Sequence, residues 1–368
     1  MYYICPKQRI NLSRQAEEII RYDIECFAED SEKVKFGGAV NRIFRFFCHH
    51  AMANIPAVLA EERRKLDAQL DDAPVEIEAK KKTISCLLDK KEHEIMEIVG
   101  RLIRKKADPN SSTLYVQDEN RKYLESSDVS HLVGKYYRNT WQFIKAVIEE
   151  YTEKPYIERE AIFFNEIIQK IRLAGDNYLI ISSGGNRYML RPYGIEPDSL
   201  SAYNYLVGYS TRISGDDRTE ATENLASFRI ARISDVVVLD EGKPLSNAER
   251  TMISDAIVVK GVQFLVGSPT EIRVRLTEGG MREYKRQISM RPLYNKYRSS
   301  GYELVFECTE WQAFVYFIKF GKEAEVLSPE NLRSRFYNMY SEAKEAYGPV
   351  LEISQGGSTF ESTRQDHV

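Results

Sequence analysis

Apolar positions at the start of the chain alternate with polar ones and then fall into helical spacing. Lys7 to Leu12 (KQRINL) alternates as a short strand does, and Ser13 stands where a helix N-cap belongs. Ala16, Ile19, Ile20, Ile24 and Phe27 then form one apolar stripe. After the polar break Glu29 to Lys35, a second stripe follows in Val40, Ile43, Phe44 and Phe47. The order read is strand, helix, turn, helix. Residues 56 to 108 are rich in charge but keep Leu66, Leu70, Ile84, Leu87, Leu88, Ile95, Ile98, Leu102 and Ile103 at helical intervals, predicting two exposed amphipathic helices. Pro74 marks the break between them, and Asp108-Pro109-Asn110-Ser111-Ser112 ends the second.

A second strand-like run, Thr113 to Gln117, precedes a polar helix and then a helix carrying Trp141, Phe143, Ile144, Val147, Ile148 and Tyr151. FGGAVNRIFRFF from Phe36 and VGKYYRNTWQFI from Val133 read as a degenerate internal repeat. Strand, helix, turn and helix within about 45 residues resemble the ribbon-helix-helix family, whose paired strands enter a nucleic-acid groove. The resemblance implies that Lys7, Arg9 and Asn11 face nucleic acid while Ile10 and Leu12 face the helices. The internal repeat would let one chain supply both strands. A plain helical oligomerisation arm is the alternative reading of the same residues.

From Asn177 the pattern changes to short apolar runs separated by turns: YLIIS, Gly184-Gly185-Asn186, RYMLRP, YNYLVGY and SFRIARISDVVVL. That spacing predicts a small β-barrel whose rim can hold a ligand or a nucleotide chain. Glu271 to Thr277 and Tyr302 to Cys308 read as further strands, Glu310 to Phe320 as a helix, and Pro329 opens the last helix.

Within this part Pro192-Tyr193-Gly194-Ile195, Tyr205-Leu206-Val207-Gly208-Tyr209 and Phe228-Arg229-Ile230-Ala231-Arg232-Ile233 occur in the order and approximate spacing of the WYL-domain family, which the chain resembles. Asn204 replaces the namesake Trp, Ala226 a frequent Arg, and Ala231 a common acidic residue, so part of the family pocket's charge is missing. Gly321, Val326 and Leu327 leading to Pro329-Glu330-Asn331-Leu332-Arg333 resemble the extension that often follows WYL domains, and the likeness runs from about Glu160 to Tyr347. It implies a homodimer formed through that extension.

The fold class expected is therefore α+β and multidomain: an α-rich ribbon-helix-helix-like region, a small Sm/SH3-like barrel, and an α/β dimerisation extension. The boundaries read are 1–55, 56–159 for the charged helices and a possible second unit, 160–245, 246–350, and a disordered tail at 351–368. A ribbon-helix-helix-like start joined to a WYL domain resembles the WYL accessory proteins of type VI-D CRISPR-Cas systems. That resemblance implies single-stranded RNA and an RNA-guided RNase effector as partners, with DNA kept open by a second reading, a transcriptional regulator.

Composition narrows this further. A chain of 368 residues with 43% hydrophobic content needs two or three cores. No apolar run approaches membrane-spanning length and MYYICPKQR lacks a signal core, so a cytoplasmic protein is expected. Five scattered cysteines imply neither a disulfide framework nor a zinc knuckle. Net charge is −3, so any phosphate-binding surface must be local. Between Arg273 and Arg298 eight Lys or Arg stand against two Glu, and Tyr284, Tyr294 and Tyr297 are interleaved with them. Arg273, Arg275, Lys285, Arg286 and Tyr284 are thus candidates for backbone contact and base stacking, against the alternative of a solvated strand face. On the barrel the candidates are Arg187, Arg191, Arg212, Arg229 and Arg232, whose guanidinium groups suit phosphates. Regular alternation would put Arg229 and Arg232 on opposite faces. Tyr205 reads as core.

No catalytic constellation emerges. His49-His50 beside Cys48 lies on an amphipathic helix, where adjacent residues diverge, and Gly184-Gly185-Asn186 reads as a hairpin turn. A non-enzymatic protein with no cofactor and no metal is expected.

Overall fold

The computed structural model describes residues 7–27, 34–71, 76–198, 203–213, 223–265, 270–288 and 290–348. The expected tail 351–368 and the break at Pro74 lie outside them. The chain forms two compact units, Met1–Val266 and Gly267–Val368.

In the first unit β1 (Lys7–Arg9) pairs antiparallel with β2 (Thr113–Tyr115), Lys7 opposite Tyr115 and Arg9 opposite Thr113. The two strand-like runs of the sequence therefore pair with each other. Ile10, Leu12 and Leu114 are buried, as are Ile20 and Ile24 of α1 (Arg14–Phe27) and Val40, Ile43 and Phe47 of α2 (Phe36–Phe47). The charged stretch forms α3 (Ile55–Leu70) and the long α4 (Ile77–Arg104), and α3 buries only Ile55. Then come α5 (Asp118–Leu124), α6 (Ser127–Tyr136) and α7 (Thr140–Glu153).

Where a single stripe was expected, α7 is buried continuously from Phe143 to Thr152, charged residues included. Each buried charge has a partner. Glu149 accepts from the backbone N–H and hydroxyl of Ser13, and Glu150 accepts from the N–H groups of Met52 and Ala53 at 3.0 and 3.1 Å. Lys145 donates to the Lys105 carbonyl at 2.7 Å. Asp23 of α1, fully buried, accepts from the Tyr151 hydroxyl and from Nε and Nη2 of Arg159. These carboxylates tie distant segments together because burial without partners would be costly.

Helices α8 (Tyr156–Phe163) and α9 (Asn165–Ala174) lead into a five-stranded antiparallel sheet of β3 (Asn177–Ser183), β4 (Asn186–Pro197), β5 (Asn204–Ile213), β6 (Asn224–Arg229) and β7 (Ile233–Gly242), in the order β6-β5-β4-β3-β7. The expected closed barrel is not formed: among the described residues the outer strands β6 and β7 share no ladder. The sheet is covered on both faces. Leu179, Ile181, Leu190 and Leu206 pack with Ile168 and Ile171 of α9, whereas Val207 packs with Leu245, Val262, Leu265 and Ile253 of α10 (Asn247–Lys260). Gly184 and Gly185 both take positive φ in the two-residue turn between β3 and β4, as the hairpin reading requires. The motif beginning at Pro192 contains an irregularity of register between Pro192 and Gly194. Opposite it, a Cβ on Gly208 would stand 2.1 Å from the Arg191 carbonyl oxygen, so only glycine fits there.

In the second unit a sheet of order β10-β8-β9 is built from β8 (Thr270–Leu276), β9 (Glu303–Cys308) and β10 (Ala324–Ser328). It packs with α11 (Glu278–Arg286), α12 (Glu310–Phe317) and α13 (Glu330–Tyr347) around Ile272, Phe306, Tyr316 and Phe317. No helix among the described residues is long and apolar enough to cross a membrane.

Candidate nucleic-acid interface

The five sheet arginines do not form one patch. Arg191 is 3% exposed, donates to Glu223 at 3.0 Å and to Glu249 at 2.6 Å, and lies over the Tyr209 ring. It is a cross-link between β4 and the start of α10, not a free phosphate clamp. Arg229 is mostly buried and stacks over Tyr203 with its guanidinium carbon 3.6 Å from the ring centroid, its Nε 3.7 Å from Glu160. Arg187, Arg212 and Arg232 are exposed, and Arg212 also donates to the Asn186 side chain. Arg212 stands opposite Tyr188 in the ladder, so it shares the face of Tyr188 while Arg187 points the other way. Strand alternation does not govern Arg229 and Arg232 as expected, because a 3-10 turn, Ile230–Arg232, separates them.

Asn204, which the resemblance sets where WYL domains carry Trp, makes three hydrogen bonds. Its side chain donates to Glu160 at 2.9 Å and to the Ile157 carbonyl at 3.1 Å, and its backbone N–H donates to the same carboxylate oxygen at 2.6 Å. Glu160 is fully buried; burial raises its pKa, while Asn204 and Arg229 oppose the shift. Sequence reasoning missed this carboxylate because a single Glu in a helix carries no pattern. Tyr205 is partly buried against the α10 side of the sheet, as core.

In the second unit the basic strip is not the continuous cationic face that its sequence count implies. Arg273 and Arg275 lie on β8, but Arg282, Lys285 and Arg286 are on a helix, and folding brings acids alongside most of the cations. Arg273 pairs with Glu271 and Glu303, Arg275 with Glu303 and Glu325, Arg286 with Glu283, and Arg298 with Glu271 and Glu307. Three of those acids, Glu303, Glu307 and Glu325, come from strands β9 and β10. Lys285 is exposed and has no acidic partner among the described residues. Tyr284 is no stacking platform: it is 4% exposed, donates its hydroxyl to the Pro292 carbonyl, and packs against Phe306 and Tyr316. Tyr297, by contrast, is fully exposed.

On the ribbon, Arg9 and Thr113 share an exposed face with Tyr115 and the position of Lys7. The Arg9 guanidinium donates to the carbonyls of Ser111 and Pro109, which holds it against the loop before β2. Asn11 has left the strand and adopts φ of 52°. Cys48 and the two histidines sit in the turn after α2, His49 edge-on to Tyr123, and no cluster of three metal-ligating side chains occurs among the described residues.

No family model matches the chain, and no curated protein matches it. Among solved structures, a CRISPR Cas-related protein superposes with a TM-score of 0.67 at 22% identity, covering 94% of this chain and 95% of its own. The chain thus shares the fold of that protein along nearly its whole length. Proteasome accessory factor B/C (PafBC) of Arthrobacter aurescens gives a far looser likeness, with a TM-score of 0.27 at 10% identity over 90% of this chain and 54% of its own.

Proposed function

We propose that this chain is a non-catalytic, single-stranded-RNA-binding accessory protein of a CRISPR-Cas system, modulating a type VI-D RNA-guided RNase effector. The observation that carries the reading is the fold shared end to end with a CRISPR Cas-related protein, on a sheet bearing the WYL-like motifs. Exposed Arg187, Arg212 and Arg232 offer guanidinium groups to a flexible phosphate chain. The protein acts as a homodimer through its second unit, where Trp311, Tyr337 and Tyr347 are exposed at 54%, 73% and 90%.

Fluorescence anisotropy against matched single-stranded RNA, single-stranded DNA and duplex DNA, across a salt series, tests the binding. The reading expects RNA preference, weakened by Arg187→Ala, Arg212→Ala and Arg232→Ala together. Target cleavage by the effector, with and without the protein, tests modulation, and light scattering tests the dimer.

The exposed face of the β1–β2 ribbon favours a second reading, a DNA-binding regulator. Duplex preference lost on Arg9→Ala, with the sheet arginines indifferent, would establish that reading instead.

A further inference from the structure

Two adjoining cavities of the first unit make one groove along α2. The larger, about 410 Å³, has an apolar floor of Phe27, Phe163, Phe164 and Ile167 and reaches Ile233 to Val236 of β7. The smaller, about 380 Å³, continues past Lys35, Arg45 and Phe46 to Gln117. Val34, Arg42 and Glu166 line both. Each cavity has the size of a site for one small ligand.

The groove is cationic at its rim. Lys35, Arg42, Arg45 and Lys170 line it, against Glu166 and Asp235. Arg45 is already held by Glu119 at 2.5 Å and stands 3.9 Å from Glu166. Lys35, Arg42 and Lys170 are exposed and have no acid within ion-pairing distance among the described residues. Arg42 lies over the Phe163 ring, its guanidinium carbon 5.2 Å from the centroid. Along the same wall β7 is an outer strand, so the outward backbone groups of Ile233 to Val236 have no ladder partner among the described residues.

We infer that this groove, and not the scattered sheet arginines alone, is where a single RNA strand crosses the protein. Two consecutive nucleotides occupy the two cavities, their bases against the half-buried Phe164, Ile167 and Phe46 and their phosphates on Arg42 and Lys170. The inference rests on the RNA-binding reading above. A duplex is excluded because its bases are stacked on one another and offer no free face to Phe164 and Phe46.

The test uses the full chain and a fluorescein-labelled oligouridylate, with two variants: Arg42→Ala combined with Lys170→Ala, and Glu166→Gln alone. The double variant should bind on the order of tenfold more weakly, and its plot of log affinity against log salt should flatten by about 1.4, the slope of two phosphate contacts on a single strand. Glu166→Gln removes a negative charge from the groove and should tighten binding, a gain that misfolding does not produce. On the wild-type protein, 4-thiouridine RNA should cross-link to peptides carrying Phe46 or Phe164. RNA binding by the wild type with an unchanged slope in the double variant, or cross-links confined to other peptides, would overturn the groove and leave the RNA-binding reading standing. No RNA binding by the wild type at low salt would overturn both.

Discussion

The Arg191 guanidinium donates to Glu249 across 2.6 Å, while the other oxygen of that carboxylate closes the capping box of α10 by accepting from the Ser246 N–H and hydroxyl. One carboxylate thus finishes a helix N-terminus and anchors a sheet arginine.

Arg191→Ala should therefore lower stability and leave RNA affinity of the folded protein unchanged. The loss expected is about 1.5–3 kcal/mol, the usual contribution of a hydrogen bond to a charged group. Urea unfolding beside the anisotropy assay checks it; a drop in affinity at full stability would return Arg191 to the binding surface.

The same pair sets a pH dependence. Hydrogen bonding to Arg191, then to Ser246, holds the Glu249 carboxyl down to about 2. A carboxylate depressed on folding adds stability above its ordinary pKa, and that stability is lost as pH falls toward the folded value. Glu249→Gln should remove this part of the acid sensitivity, so stability falls less steeply from pH 5 to pH 2 than in the wild type. Burial acts with the opposite sign on Glu150 and Glu160: it raises both, so their contributions decline as pH rises. Circular dichroism along an acid titration separates the two limbs.

Two glycines should respond oppositely to alanine. Gly208→Ala drives a methyl into the Arg191 carbonyl, which is backbone and cannot rotate away, and should cost about 3 kcal/mol or prevent folding. Gly134, exposed in α6 with nothing within 4 Å of a built Cβ, should gain up to about 1 kcal/mol as alanine. Thermal melts of both variants check the contrast.

Asp23→Ala should be the most damaging of the substitutions in the helical part. It strands the Tyr151 hydroxyl and the Arg159 guanidinium, whose side chain is only 12% exposed. About 3–5 kcal/mol is expected for removing one partner of a buried pair. If urea unfolding shows less than about 1 kcal/mol, water reaches the site and the pair is not a buried one.

Local periodicity made much of the fold legible. The stripes of α1 and α2, the hairpin at Gly184-Gly185 and strands β8 and β9 follow from spacing alone, because each buries one face. α7 was only half legible, since the spacing marks its apolar residues but not Lys145, Glu149 and Glu150, whose partners Lys105, Ser13 and Met52 come from distant segments. The sheet misled in a similar way: Leu206 and Val207 are both fully buried, on opposite faces, and a run of apolar residues does not say whether helices or a barrel interior cover it. The charge strip looked continuous in sequence because some of the acids that fold alongside it are distant. Arg275 looked free in sequence because Glu303 and Glu325 are far along the chain, whereas Glu271, which pairs with Arg273, stands just outside the counted strip. The groove cations, Arg42 and Lys170, belong to separate helices and share no motif.

The ribbon closes across a long span of chain: Arg9 on one strand meets Ser111 beside the other at a separation of 102 residues. During synthesis β1 must wait, unpaired, until β2 has left the ribosome, and α1 and α2 wait with it for the cover of α7. That makes the ribbon a high-contact-order element among helices rich in local contacts. It also breaks symmetry. A ribbon made of two copies of one strand presents a palindrome, whereas this one sets Arg9 against Thr113 and Lys7 against Tyr115, so whatever it touches meets a surface with a direction.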